Sequence, residues 1–218
     1  MIFMIVIVGC NKGGAGKSTT ATNLAVGLAM RGKDICLMDA DPQRSAARWH
    51  KDREEADIDP KLTLVEKLEN LSSTLQSLKS KFDHIIVDVA GRNSRELITG
   101  GAVADLIIAP HQASQLDLDT LEELETQTIR LKDINPNLEV YIYHAMASTN
   151  PTVKETERAE FLEYVSDLEG FKPLDSIGYF RKVYRDVISE GKSVLEVSNE
   201  SAANEIQSLI DEVFESGN

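Results

Sequence analysis

The chain has 218 residues, of which 42% are hydrophobic and 27% charged. That is enough to bury one substantial core and too little for two comfortable ones, so a single domain over residues 1–218 is expected. A formal net charge of −13 excludes a uniformly basic nucleic-acid binder, although screening over about 8 Å at physiological salt lets a local basic patch act on its own. No apolar stretch approaches the roughly 20 residues that cross a bilayer, and the apolar start lacks the basic region of a secretion signal, which predicts a soluble, cytoplasmic protein.

Short apolar runs occur at residues 2–9, 35–38, 62–65, 84–87, 106–109 and 140–143, each with the length of a buried strand. Helix-length segments separate them. This alternation predicts an α/β fold with a mostly parallel twisted sheet, right-handed crossovers and helices on both faces, and places ligands outside the carboxyl ends of the strands. Leu64, Leu68, Leu71, Leu75 and Leu78 recur at four and three residues and predict one helix packed on the sheet. Leu121, Leu124 and Leu131 mark another amphipathic helix, and Ala203, Ile206, Leu209, Ile210, Val213 and Phe214 mark the last. Cys10 and Cys36 each lie in an apolar run, which predicts small buried hydrophobes rather than a disulfide or a metal pair.

Directly after the first run comes Gly9-Cys10-Asn11-Lys12-Gly13-Gly14-Ala15-Gly16-Lys17-Ser18-Thr19, which opens a helix with Leu24 and Leu28 on one face. From Lys12 onward it is a modified G-x-x-x-x-G-K-[ST] phosphate loop. Glycines at 13, 14 and 16 let the backbone turn tightly and bring its N–H groups, with Ala15 among them, against phosphate oxygens, and the helix start adds a positive end. Lys17 would pair with the β- and γ-phosphates, and Ser18 would offer its hydroxyl to Mg²⁺. Lys12 is a second cation beside the same anion.

The second run ends in Asp39-Ala40-Asp41-Pro42-Gln43, which puts two carboxylates at a strand's carboxyl end. The fourth ends in Asp88, a Walker B pattern supplying an acid near the metal through a coordinated water. Val89-Ala90-Gly91 reads equally well as a sensor of the γ-phosphate or as a plain turn.

The segment from Lys12 to Thr19 resembles the signature of the ParA/MinD superfamily, the deviant Walker A ATPases. The resemblance implies ATP and Mg²⁺ as ligands and an ATP-bound homodimer in which Lys12 reaches across to the partner's nucleotide. It gives Asp41 the task of positioning the attacking water and Asp39 a place near the Mg²⁺ shell; with Lys12 and Lys17, Asp41 completes the implied catalytic set. Three further stretches narrow the likeness to small plasmid-partition ParA proteins without an N-terminal DNA-binding domain. They are the run from Asp39 to Ser45 with Trp49 downstream, the turn from Pro110 through Ser114 to Asp117, and Arg181…Tyr184…Gly191-Lys192-Ser193-Val194-Leu195-Glu196. That branch implies nonspecific DNA binding in the ATP state, hence association with the nucleoid, and a ParB-type centromere-binding partner that stimulates hydrolysis.

Phe180, Val183, Tyr184, Val187 and Ile188 form a helical stripe, with Arg181 and Arg185 on another face and Lys182 adjacent. This local positive patch is the expected DNA contact, with Arg44, Arg48, Arg92 and Arg95 as rivals. A MinD-like membrane switch would require a basic amphipathic terminal helix, whereas no Lys or Arg follows Ser201. A small-molecule synthetase on the same fold stays open. The base of the nucleotide is expected at a rim formed by residues 145–150.

Overall fold

In the first strand, β1 (Met4–Val8), Ile5 and Ile7 enter one hydrophobic core while Val6 and Val8 enter another, the period-two alternation of a strand buried on both faces. The computed structural model describes residues 3–91 and 94–215, with only the backbone considered for residues 115–119. Six more strands follow: β2 (Ile35–Ala40), β3 (Thr63–Glu66), β4 (His84–Val89), β5 (Leu106–His111), β6 (Glu139–Ala147) and β7 (Lys172–Tyr179). The sheet runs β3-β2-β4-β1-β5-β6-β7, and every pairing is parallel.

One face of the sheet carries α1 (Lys17–Met30), α2 (Ser45–Glu55), α7 (Lys182–Ile188) and α8 (Glu200–Ile210), packed through Leu24, Trp49, Val187 and Ile206. The other face carries α3 (Ser72–Leu78), α4 (Arg95–Gly101), α5 (Gln115–Ile134) and α6 (Lys154–Ser166), packed through Leu75, Leu97, Leu124 and Phe161. The α/β architecture expected from the alternating pattern is the one observed. Among the described residues no helix is long and apolar enough to cross a membrane. Cys10 and Cys36 are buried and unbridged, and burial pushes the Cys36 thiol up to about 12, out of the nucleophilic range.

Three expectations need correction. The leucines from Leu64 to Leu78 do not share a helix: Leu64 lies in β3, Leu68 is 43% exposed, and α3 begins only at Ser72. An Asx turn in which Asn70 Oδ1 accepts from Ser72 N, 3.0 Å, ends the connection and starts the helix, so a leucine spacing of four and three arose across a strand, a loop and a helix. Strand β7 is not among the expected runs because Pro173, Asp175 and Gly178 break up its apolar pattern; an edge position tolerates all three. Phe180 precedes α7 and is 56% exposed, so it is not part of that helix's buried stripe.

Two of the stretches that carry the family likeness touch one another. Trp49 Nε1 donates to the Lys192 carbonyl at 3.0 Å, and the buried Arg53 guanidinium binds both oxygens of Glu196 at 2.9 and 2.7 Å. Asn23 Oδ1 accepts from Ser193 Oγ at 2.7 Å and from the Val194 amide at 2.9 Å, which ties the 191–196 segment to α1 as well as α2. These polar clamps hold α1, and with it the loop before it, against the sheet.

Candidate nucleotide site

The loop between β1 and α1 turns through Gly14 (φ 74°) and Gly16 (φ 90°), the left-handed conformation that side chains disfavour. Behind it α1 starts at Lys17 without a side-chain cap from Gly16, and the first-turn N–H groups of a helix are donors suited to an anion. Lys17 is 6% exposed, with its Nζ donating to the Lys12 carbonyl at 2.6 Å. A cleft of about 670 Å³ opens here, lined by loop residues 13, 14 and 16–19, by Asp41 to Gln43 and Ser45, and by Ala90, Gly91 and Met146. Lys12 stands outside that lining. Gly91 lies against the loop, since a Cβ there would come within 3.2 Å of the Lys12 carbonyl carbon and oxygen. The segment Val89-Ala90-Gly91 is thus in contact with the phosphate loop.

Register explains where the acids stand. Asp39 and Asp88 are direct partners across the β2–β4 ladder, and each has the parity of Leu37 and Ile86, which face α1. Both carboxylates therefore enter the α1 side of the sheet at its carboxyl end. They are used differently. Asp39 spends one oxygen on the Asp41 amide (3.0 Å) and the other on the Ala47 amide (2.7 Å); burial raises its pKa against the pull of those two bonds. It thereby fixes the turn that presents Asp41, whose own Oδ1 accepts from Gln43 N at 2.8 Å.

Asp88 is fully buried, and among the described residues neither of its oxygens meets a donor at hydrogen-bond geometry. Burial pushes its pKa up to about 7; the neighbouring Ser18 hydroxyl offsets part of that, Asp39 and Asp41 add to it, and Lys17 opposes it. A buried carboxylate without a donor, beside a hydroxyl, fits a hard divalent cation that takes oxygen ligands and completes its shell with phosphates and water. Asn11, 1% exposed, is a further buried group whose amide has no hydrogen-bond partner among the described residues.

A second, narrow pocket adjoins the cleft through Gly16, Thr19 and Met146, and its far wall comes from Tyr143, Tyr179 and Tyr184. Met146 holds φ 55° and its Sδ accepts from Gln112 Nε2 at 3.3 Å. Of the rim expected at 145–150, Ala145 and Met146 line this pocket. Tyr143 lies in the expected strand at 140–143, with no local signal that it faces the site, and the residues at the end of β7 carry none because that strand's apolar pattern is interrupted.

The expected DNA patch does not assemble as a row of open cations. Arg181 Nε donates to the buried Glu205 carboxylate at 2.6 Å, Lys182 pairs with Asp186 at 3.5 Å, and Arg185 lies over the Phe180 ring, 5.3 Å from its centroid. The rivals are engaged too: Arg44 forms a two-pronged pair with Glu66 (2.5 and 2.8 Å), Arg48 donates to the Gln43 carbonyl, and Arg95 lies 3.9 Å from Glu69. Arg92 falls outside the described residues, as does the side chain of Asp117.

A parallel sheet of this order, with a glycine-rich loop at the start of α1 and acids at the ends of β2 and β4, defines the P-loop nucleoside-triphosphatase class. More narrowly, the chain belongs to the MipZ ATPase family, whose model matches residues 4–146, within the ParA/MinD type. It is 28% identical over 213 residues, 94% of each chain, to maintenance of carboxysome distribution protein A of Halothiobacillus neapolitanus. Among solved structures, the ATP complex of a Cyanothece McdA variant superimposes with a TM-score of 0.76 at 15% identity, covering 96% of this chain and 95% of that one. A putative plasmid partition protein of Borrelia burgdorferi bound to AMPPNP gives 0.75 at 18% identity, over 95% and 97%.

Proposed function

We propose that this ATPase works as a nucleotide-gated homodimer that positions a large cargo, with ATP as substrate and Mg²⁺ as cofactor. The observation that carries the reading is that Lys17, Ser18 and Asp41 line one cleft, with the buried Asp88 carboxylate next to Ser18 and Lys12 outside the lining. Loop amides at 13–19 hold the phosphates, and Lys17, released from the Lys12 carbonyl, moves to the β- and γ-oxygens. Ser18 and Asp88 would hold the Mg²⁺, with Asp39 acting on it through water. When bound, the ion neutralises charge developing on the phosphates. Asp41, held by its turn, orients the attacking water; alignment and charge stabilisation matter here more than basicity. Lys12 serves the partner's nucleotide, so the γ-phosphate stabilises the joined state more than the separated one.

Sedimentation with a nonhydrolysable ATP analogue tests this. The wild type shifts to dimer, K12A binds nucleotide but stays monomeric, and K17A does not bind. A wild type that binds the analogue and remains monomeric refutes the gating.

The names of the two relatives refer to carboxysome distribution and plasmid partition, which supports a positioning role, and we infer an adaptor of the ParB type as cargo partner. The nucleic-acid surface is inferred to centre on Arg185 and Lys182, both exposed, with Arg181 as their anchor to the fold. Arg185 and Phe180 line the pocket beside the phosphate loop. Occupancy of that pocket would therefore set where the cation sits, which couples DNA retention, and with it nucleoid association, to nucleotide state.

A further inference from the structure

Behind the narrow pocket that adjoins the phosphate cleft, one buried carboxylate gathers most of a wall. Glu205, on α8, is 8% exposed. Its Oε2 accepts from the Tyr179 amide at 3.1 Å and from the Tyr184 hydroxyl at 2.9 Å, and its Oε1 accepts from Arg181 Nε at 2.6 Å. All three donors belong to residues that line the pocket, yet Glu205 does not line it. The donors come from the end of β7, from the connection after it and from α7, and the Tyr184 hydroxyl also reaches the Ala202 carbonyl of α8 at 3.4 Å. Arg181 then lies over the Tyr179 ring at 5.5 Å, which fixes a flat aromatic and guanidinium surface on that side.

A pocket of about 100 Å³ walled by Tyr143, Tyr179 and Tyr184 and continuous with the phosphate cleft through Gly16 and Thr19 has the shape and chemistry for a planar heterocycle attached to phosphates. We propose that Glu205 is the positioning residue of the base-binding wall: it never touches the nucleotide but holds Tyr179, Arg181 and Tyr184 where a purine stacks. The inference rests on the nucleotide reading given above. It adds that base affinity is controlled from α8, beyond the segment matched by the family model, which ends at residue 146.

The physical reason is pre-organisation. Without a shared acceptor, the Arg181 side chain and the β7 end regain freedom that binding must remove again, and that cost falls only on ligands that use the wall. Ligands confined to the phosphate loop do not meet it.

Calorimetric titration with ADP and, separately, with inorganic tripolyphosphate separates the two. E205A should lose about tenfold in ADP affinity, equivalent to about 1.4 kcal/mol, while tripolyphosphate binds within twofold of wild type. E205Q retains a carbonyl oxygen for the Tyr184 hydroxyl and Tyr179 amide and should recover part of the loss. Y184F, which removes one donor and keeps the ring, should cost two- to threefold and stands in if the Glu205 variants do not fold. Equal losses for ADP and tripolyphosphate, or none for either, overturn the positioning role. A wild type that binds ADP no better than tripolyphosphate overturns instead the assignment of the pocket to the base.

Discussion

Asp39 and Asp88 are register partners at the carboxyl ends of β2 and β4, and they divide one task between them: Asp39 gives both oxygens to backbone amides, while Asp88 keeps both without a donor among the described residues. The first is a brace and the second is a charge held ready. A carboxyl raised from 3.8 to about 7 by burial contributes stability that is complete below pH 3.8 and is lost as pH rises through 7. At pH 8 its ionised form therefore weakens the nucleotide-free protein. D88N should be more stable than wild type at pH 8 without nucleotide, by about 2–4 kcal/mol in urea unfolding, and should have lost Mg²⁺-dependent hydrolysis. A less stable D88N would mean that the carboxylate has a donor in solution.

Asp41 lines the cleft but is braced rather than buried, with its backbone carbonyl accepting from Arg44 N at 2.8 Å. D41A should leave ATP affinity within about twofold, lower turnover by on the order of 10²-fold, and lengthen the lifetime of the ATP dimer. Turnover assays and sedimentation on the same preparation check both halves. A D41A protein that hydrolyses at the wild-type rate would remove Asp41 from the chemistry.

Arg181 and Arg185 looked equivalent in sequence and are not. Arg181 neutralises a carboxylate that is 7% exposed, while its own side chain is 29% exposed. R181A should thus cost stability, about 1–2 kcal/mol after allowing for that exposure, by leaving Glu205 without its cation. R185A should leave the melting temperature unchanged, weaken DNA retention across all sequences and reduce the salt slope by about 1. Retention insensitive to R185A with K182A would place the nucleic-acid surface elsewhere or exclude it.

The legible part of this protein was its phosphate end. Gly14 and Gly16 announce tight turns, and the runs into Asp39 and Asp88 announce strand ends, so the parallel sheet and the cleft at its carboxyl end followed from local chemistry, while the strand order did not. What stayed hidden depends on contacts between distant segments. The leucines from Leu64 to Leu78 share a spacing by coincidence, because period alone does not reveal where a strand gives way to a helix. Arg181 read as a surface cation because Glu205 lies 24 residues away on α8, and no local pattern joins them. The base pocket was half visible, through Met146, and half lost with β7, whose edge position lets polar and imino residues interrupt the strand signal.

His144 offers a check on the opposite face of the sheet, where it packs against Phe161 of α6. The ring is 1% exposed and stacks on Phe161 at 4.4 Å, and neither ring nitrogen has a hydrogen-bond partner among the described residues. Burial, with the Arg158 cation second, pushes its pKa down from 6.5 to about 4, while Glu157 Oε1 stands 3.6 Å from Nε2. The unfolded chain takes up the proton first, so the stability that the neutral ring permits is whole above pH 6.5 and is lost as pH falls towards 4. Asp88 runs the other way over the same range and masks it. In the D88N background, then, unfolding free energy should drop by about 2 kcal/mol between pH 7 and pH 5, and adding H144Q should remove most of that drop. His84, also buried and shifted down, supplies the remainder. If D88N is flat over this interval, His144 is already protonated in the folded protein and Glu157 outweighs burial.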